Sequence, residues 1–255
     1  MRLTFDPRAA VGYKSPSQVV RRLTEHWFDE NMYCPACPAR GLRREQDNTR
    51  VVDFVCPECG AEFQLKAKGG SFGRKLRDAA WAPMMERIRA NRSPHFAFLR
   101  YSRDDWRVLG LMLVPGHFVT PNIIERCRPL APTARRPGWV GCNILLPRIP
   151  ADGRLHVIDE ARQRDPKAVR ADWRRFAWLA EQQAEARGWV TDVLRCIEGF
   201  RGRAFRLDEV YEFEPELSAL YPRNRHVRPK IRQQLQVLRD RGVLRFLGRG
   251  RYEFV

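Results

Sequence analysis

The chain has 255 residues, 44% of them apolar, enough for one large or two ordinary domains with real cores. Forty-seven Lys and Arg against thirty Asp and Glu leave a net charge of +17 and a pI near 10.4, the electrostatic footprint of a protein that meets a polyanion. No apolar run is long enough to span a membrane, Met1-Arg2-Leu3 opens no signal-peptide pattern, and the seven cysteines suit a reducing cytosol, so the reading is a cytoplasmic protein without a membrane partner whose polyanion is nucleic acid rather than lipid.

In chain order, Ser15-Pro16-Ser17 signals a helix start, and Val19, Val20, Leu23 and Trp27 continue it at helical spacing to residue 31. Glu25 on this helix reads first as an exposed glutamate, with an extra metal ligand as the alternative. Two Cys-x-x-Cys pairs follow, Cys34/Cys37 and Cys56/Cys59, with eighteen residues between Cys37 and Cys56. That double spacing is the pattern of a four-thiolate structural zinc site, against the alternative of two disulfides or four unrelated thiols. Cys127, Cys142 and Cys196 lie outside the pattern and read as core thiols.

Residues 51–55 and 62–68 read as strands, the second alternating polar and apolar with period two, so that Cys56–Ala61 becomes a hairpin tip. In that register Asp53 shares a face with Glu62, Gln64 and Lys66, while Phe54, Phe63 and Leu65 point into a core. An Asp followed on the next strand by an acid or amide, one residue and a Lys resembles the active site of the PD-(D/E)xK nucleases. The chemistry requires oxygen ligands for a divalent ion, here Asp53, the side-chain carbonyl of Gln64 and the backbone carbonyl of Leu65, and a cation, Lys66, to handle the attacking water. Solvated residues on neighbouring strands are the competing explanation.

Gly69–Gly73 reads as a loop and Leu76–Ala90 as a helix that Pro83 starts or kinks. Strands are predicted at 95–101 and 107–114, and a short helix after Thr120-Pro121. Residues 126–143 hold four arginines, three prolines, two glycines and one tryptophan without helical or strand period, the composition of a functional loop. Arg126, Arg128, Arg135 and Arg136 are suited to phosphates; Trp139 offers a flat surface to a base or its methyl group, or else pins the loop to the core. Strands at 143–146 and 154–158 and a helix from Asp165-Pro166 complete an α/β layout, and the polar run 181–187 marks the domain boundary.

From Gly188 the sequence predicts helices at 190–200, 207–220 and 227–241, then two strands, 243–247 and 251–255, joined by Gly248-Arg249-Gly250, the layout of a winged helix. Between Arg223 and Arg251 ten Lys or Arg stand against one Asp. On the third helix Ile231, Leu235 and Leu238 face the core. Arg228, Lys230, Arg232, Gln233, Gln234 and Gln236 are left to meet base edges in double-stranded DNA, and Arg249 and Arg251 on the wing to meet phosphate or minor groove.

Blocks along nearly the whole chain resemble the DpnI family of methyl-directed restriction endonucleases. They are YKS with SQ at 13–18, YCP-x-C at 33–37, DF-x-C-x-x-C with EF-x-LK-x-K at 53–68, FVTP at 118–121, LAPTARR-x-GW-x-GCNI at 130–144, RDP at 164–166, RGW at 187–189, KIRQQLQ-x-LRD-x-G at 230–242 and GRG-x-Y at 248–252. The resemblance implies a two-domain protein: a PD-(D/E)xK nuclease domain with an embedded zinc site at 1–184 and a winged-helix DNA-binding domain at 185–255. It further implies a monomer that cleaves GATC when the adenine is methylated, both domains reading the methylated site. Trp139 then contacts the adenine methyl groups, zinc on Cys34, Cys37, Cys56 and Cys59 is structural, and magnesium or manganese serves catalysis.

One position departs from the family: its catalytic glutamate falls on Gln64. An amide keeps a carbonyl oxygen but removes a negative charge, which leaves two readings, a methylation-dependent endonuclease and a methyladenine reader that cuts weakly or not at all. Glu62, on the same face, is a candidate to supply the missing charge. A zinc-containing winged-helix transcription factor is a third reading, and it leaves the Asp53 hairpin unexplained.

Overall fold

The computed structural model describes residues 1–46 and 52–255, so that Val51 of the predicted strand at 51–55 lies outside the described residues. Helix α1 (Pro16–Asn31) is followed by strands β1 (Arg43–Arg44), β2 (Phe54–Val55), β3 (Glu62–Gly69) and β4 (Lys75–Ala80), then helix α2 (Trp81–Arg89). Strands β5 (His95–Tyr101), β6 (Val108–Val114), β7 (Ile124–Arg126), β8 (Gly141–Leu145), β9 (Leu155–Asp159) and β10 (Arg162–Gln163) lead to helix α3 (Pro166–Arg175). The C-terminal part holds helix α4 (Ala184–Ile197), strand β11 (Phe205–Arg206), helices α5 (Leu207–Tyr211), α6 (Glu214–Leu220) and α7 (Val227–Asp240), and strands β12 (Leu244–Gly248) and β13 (Arg251–Phe254). Among the described residues no helix is long and apolar enough to cross a membrane.

The chain packs as two compact units. The first, Met1–Leu76 with Arg92–Val119 and Asp152–Glu181, is built on a seven-stranded mixed sheet in the order β1-β2-β3-β5-β6-β9-β10. Strands β3 and β5 run parallel, and the other pairs are antiparallel. The period-two pattern of β3 buries Phe63, and its cross-strand partner Phe54 lies under Phe28 of α1 at 4.7 Å between ring centroids. Leu23, Trp27, Phe28, Phe54, Phe63, Leu99, Leu111, Val169 and Trp173 belong to one continuous core, the burial that holds α1 and α3 to the sheet. Pro166 opens α3, and Asp165 caps it by accepting the Lys167 N–H at 3.0 Å.

The second unit, Arg77–Asn91, Thr120–Ala151 and Gln182–Val255, contains a three-stranded sheet in the order β4-β8-β7 and a winged helix whose sheet runs β11-β13-β12. A change of domain at residue 184 divides the chain into two consecutive stretches, whereas the packing interleaves them. Segments 77–91 and 120–151 bury their polar anchors with the C-terminal helices: Asp192, 1% exposed on α4, accepts from Asn122 Nδ2 at 2.6 Å and from the Tyr221 hydroxyl at 2.7 Å. Tyr221 stacks on Trp189 at 3.8 Å, and Arg187 donates to the Ile88 carbonyl at the C-terminal end of α2.

Two predicted helices are corrected. Residues 75–80 form β4, not the first turn of a helix, because Leu76 and Asp78 alternate inward and Pro83, which lacks an N–H and clashes with the preceding turn, fits only near a helix start, here in α2. The helix at 207–220 is broken into α5 and α6, with Pro215 in the first turn of α6. The predicted loop 126–143 begins on β7 and ends on β8, so only its middle lies outside strands.

Replacing Asp192 with Ala leaves Tyr221 and Asn122 without their shared acceptor. It is expected to cost about 2–4 kcal/mol, measured as a lowered midpoint in denaturant melts, while Asp192→Asn loses less.

Candidate active site and zinc centre

Cys34, Cys37, Cys56 and Cys59 converge, all four sulfurs lying within 4.8 Å of one another. The second pair is set by a tight turn in which the Cys56 N–H donates to the Ala61 carbonyl at 2.9 Å and Gly60, at φ +73°, donates back to the Cys56 carbonyl at 3.0 Å. Sγ separations of 3.7 Å for Cys34–Cys59 and 3.5 Å for Cys37–Cys56 match the edge of about 3.8 Å expected of a tetrahedron with Zn–S bonds of about 2.3 Å. The cluster therefore fits a structural metal such as zinc. Burial pushes the Cys34 thiol up. At Cys56 burial acts the same way, but the backbone N–H groups of Cys59 and Glu58 and the adjacent thiols outweigh it and draw the group down to about 7. From α3, Arg170 donates to the carbonyls of Cys34 at 3.0 Å and Ala39 at 3.1 Å and lies over the Tyr33 ring, bracing the first knuckle.

The knuckle closes the β2–β3 hairpin, whose ladder pairs Phe54 with Phe63 and Val55 with Glu62. One step before Phe54, the Asp53 N–H donates to the Phe63 carbonyl at 2.9 Å, and Asp53 Oδ2 accepts the Leu65 N–H at 2.8 Å. Asp53, Gln64, Leu65 and Lys66 all line one cavity of about 860 Å³. Gln64 is only 9% exposed, and its Oε1 has no hydrogen-bond partner among the described residues. A buried carbonyl oxygen without a donor carries an uncompensated desolvation cost, and a hard cation beside Asp53 is the partner that would remove it. The Asp53 carboxyl is raised above its ordinary range, first by burial and then by the charge of Glu25, against the Leu65 N–H and the charges of Lys66 and Arg21.

Glu25 is the residue the sequence misplaced. It is 6% exposed and lines this cavity, with Oε1 held by Arg21 Nε at 2.6 Å and Oε2 by Arg44 Nη2 at 2.7 Å. Glu62, the expected supplier of charge, is exposed at the start of β3 and does not line the cavity.

In the second unit the hairpin between β7 and β8 carries Arg126, Arg128, Arg135 and Arg136, all exposed. Trp139 is half-buried and folds back over Gly141, where an added Cβ would stand 2.7 Å from Cζ3 of the ring. The Trp139 carbonyl accepts from Leu130 and the Val140 carbonyl from Trp81, so the loop is closed by backbone bonds, and Arg126 lies over the Trp81 ring at 4.9 Å.

On α7, Ile231, Leu235 and Leu238 are fully buried as expected, and Arg228, Arg232, Gln233 and Gln236 are exposed, with Lys230 partly so. Gln234 corrects the expectation. It is 4% exposed because it stands three residues after Ile231 and four before Leu238, on the buried stripe, and its amide is turned to Gln233. Arg249, at φ +47° between two glycines of the wing turn, and Arg251 are both exposed.

The chain matches the DpnI Dam-replacing family over residues 1–182 and the Dam-replacing helix-turn-helix domain over residues 185–254. It belongs to the DpnI family. The helix-turn-helix match and the exposed basic face of α7 make the C-terminal part a DNA-binding element.

Purified protein is expected to carry about one zinc per chain by atomic emission. Replacing Cys56 with Ser should remove the metal and lower the melting temperature; a variant that melts like the parent would show that the knuckle does not depend on a metal.

Proposed function

We propose that this DpnI-family chain is a methylation-dependent type II endonuclease that hydrolyses phosphodiester bonds in double-stranded DNA at adenine-methylated GATC. The observation that carries the reading is the gathering of Asp53, Gln64 and Lys66 in one cavity, with Gln64 Oε1 buried and lacking a donor among the described residues. Residues 1–184, of which 77–91 and 120–151 pack with the C-terminal part, supply the nuclease, and 185–255 supply the winged-helix reader.

Asp53, the Gln64 carbonyl and the Leu65 backbone carbonyl would hold a magnesium or manganese ion, which when bound supplies charge neutralisation at the scissile phosphate. Lys66 orients the attacking water and steadies the charge that develops as it adds. Burial around Asp53 and Gln64 excludes competing solvent, so each charge acts in a lower dielectric than water provides. In the second unit Arg126, Arg128, Arg135 and Arg136 position the backbone, Trp139 packs on the methyl groups, and α7 and the wing add a second set of base and phosphate contacts.

The competing reading, a methyladenine reader with little or no cleavage, is favoured by the amide at 64. Incubating the protein with Dam-methylated and unmethylated plasmid in magnesium separates the two: cutting of the methylated plasmid alone is expected, and intact methylated plasmid with retained binding would make the chain a reader. Lys66→Ala should lower cleavage about 10²–10⁴-fold with methylated-duplex binding retained.

Asp53→Asn should abolish cleavage and raise the melting temperature by a few degrees in the absence of divalent ions. The sign follows from the raised carboxyl: the fold favours its protonated form, so at neutral pH the ionised group opposes folding, and a neutral amide relieves this. A lowered melting temperature would refute that account.

Gly141→Ala should shift Trp139 and reduce the ratio of methylated to unmethylated duplex affinity about tenfold, read by fluorescence anisotropy; an unchanged ratio would remove Trp139 from methyl recognition.

A further inference from the structure

An ion site made from Asp53, an amide and a backbone carbonyl carries one formal negative charge, whereas divalent cations gain affinity with each added carboxylate. The cavity that holds these groups contains a second acid. Glu25 comes from the middle of α1, at 6% exposure, and lines the same cavity as the β3 residues Gln64, Leu65 and Lys66. Neither of its oxygens is left to solvent: Arg21 Nε holds one at 2.6 Å and Arg44 Nη2 the other at 2.7 Å. Buried carboxylates need compensation, and two guanidiniums on one carboxylate provide it. The unpartnered Gln64 Oε1 in the same cavity is the independent sign that a cation belongs there.

We propose that Glu25 is the second carboxylate of the divalent-cation site, supplying from α1 the charge that Gln64 lacks on β3, with Arg21 and Arg44 orienting it. The inference rests on the endonuclease reading only for the existence of an ion site at Asp53. It assigns a ligand from a different element, and it makes the amide at 64 compatible with metal binding.

The test is manganese binding, followed by electron paramagnetic resonance on zinc-loaded protein without DNA, so that cleavage is not the readout. Glu25→Gln should weaken manganese binding at least about tenfold, Glu62→Gln should leave it unchanged, and Asp53→Ala should abolish it. The Glu25→Gln/Gln64→Glu double variant should recover affinity to within about threefold of the parent, which a purely structural role for Glu25 would not produce. Parent-like binding by Glu25→Gln, or a double variant no better than the single one, overturns the proposal. If Asp53→Ala abolishes binding while Glu25→Gln does not change it, the ion site stands and Glu25 is not part of it. If the parent protein takes up no manganese beyond its zinc, the ion site at Asp53 falls, and the assignment of Glu25 falls with it. Should Glu25→Gln melt well below the parent, Glu25→Asp, which keeps the charge and shortens the reach, replaces it and is expected to show an intermediate loss; parent-like affinity there overturns the proposal.

Discussion

The candidate catalytic centre hangs on a two-residue ladder. Strand β2 contributes only Phe54 and Val55 to the sheet, and Asp53, one residue before them, is held by its N–H on the Phe63 carbonyl and its carboxylate on the Leu65 N–H. So short a strand has little pairing energy of its own. Two other constraints fix it. Phe54 is fully buried between Phe28 and Phe63, which sets which face of the strand looks inward, and the four cysteines tie both ends of the Cys37–Cys56 connection to one point. A slip of one residue would turn Asp53 into the core and expose Phe54, so the cysteine knuckle and the aromatic core together determine where the carboxylate points.

Charge is distributed by the same logic. The chain as a whole is strongly basic, yet the cavity gathers two acids, Asp53 and Glu25, and answers them with Lys66, Arg21 and Arg44. A polyanion drawn by the long-range field thus meets a local cluster in which every acid already has a basic neighbour. Long-range attraction favours the encounter with DNA, whereas the short-range arrangement sets the charge balance inside the cavity. The second unit carries exposed arginines on a backbone-closed hairpin and on α7, where solvation of the charges costs the fold nothing.

Most of the fold was legible because its elements carry strong periodicity: α1, β3, β5, β6, α3, α7 and the wing follow directly from apolar spacing, caps and the Gly248-Arg249-Gly250 turn. What was not legible depends on partners distant in sequence. Leu76, Ala80, Trp81 and Met84 satisfy a helical spacing as well as a strand followed by a helix, and the sheet that β4 shares with β8 and β7 decides between them. Gln234 looked available because three neighbouring apolar positions already filled the stripe; at 3.6 residues per turn the stripe is wide enough to take it as well. The interleaving of segments 77–91 and 120–151 with the C-terminal helices has no local signature, since it rests on Asp192 meeting Asn122 and Tyr221.

Glu25 shows why an active site is harder to read than a core. With Arg21 four residues earlier it forms an ordinary i, i+4 pair, the pattern of a solvated helix face. Only the approach of Arg44 and the cavity wall turns that pair into a buried cluster, and neither is visible in the local sequence. The same step makes Gln64 intelligible. On β3 alone, an amide beside Asp53 brings no charge; inside a cavity that already holds a second buried carboxylate, a third acid would add repulsion to Asp53, whose carboxyl is already pushed up by burial and by Glu25. An amide keeps the oxygen and omits that repulsion. If Glu25 joins the proposed ion site, the amide and the buried glutamate are two parts of one electrostatic arrangement, in which the helix supplies the charge that the strand does not.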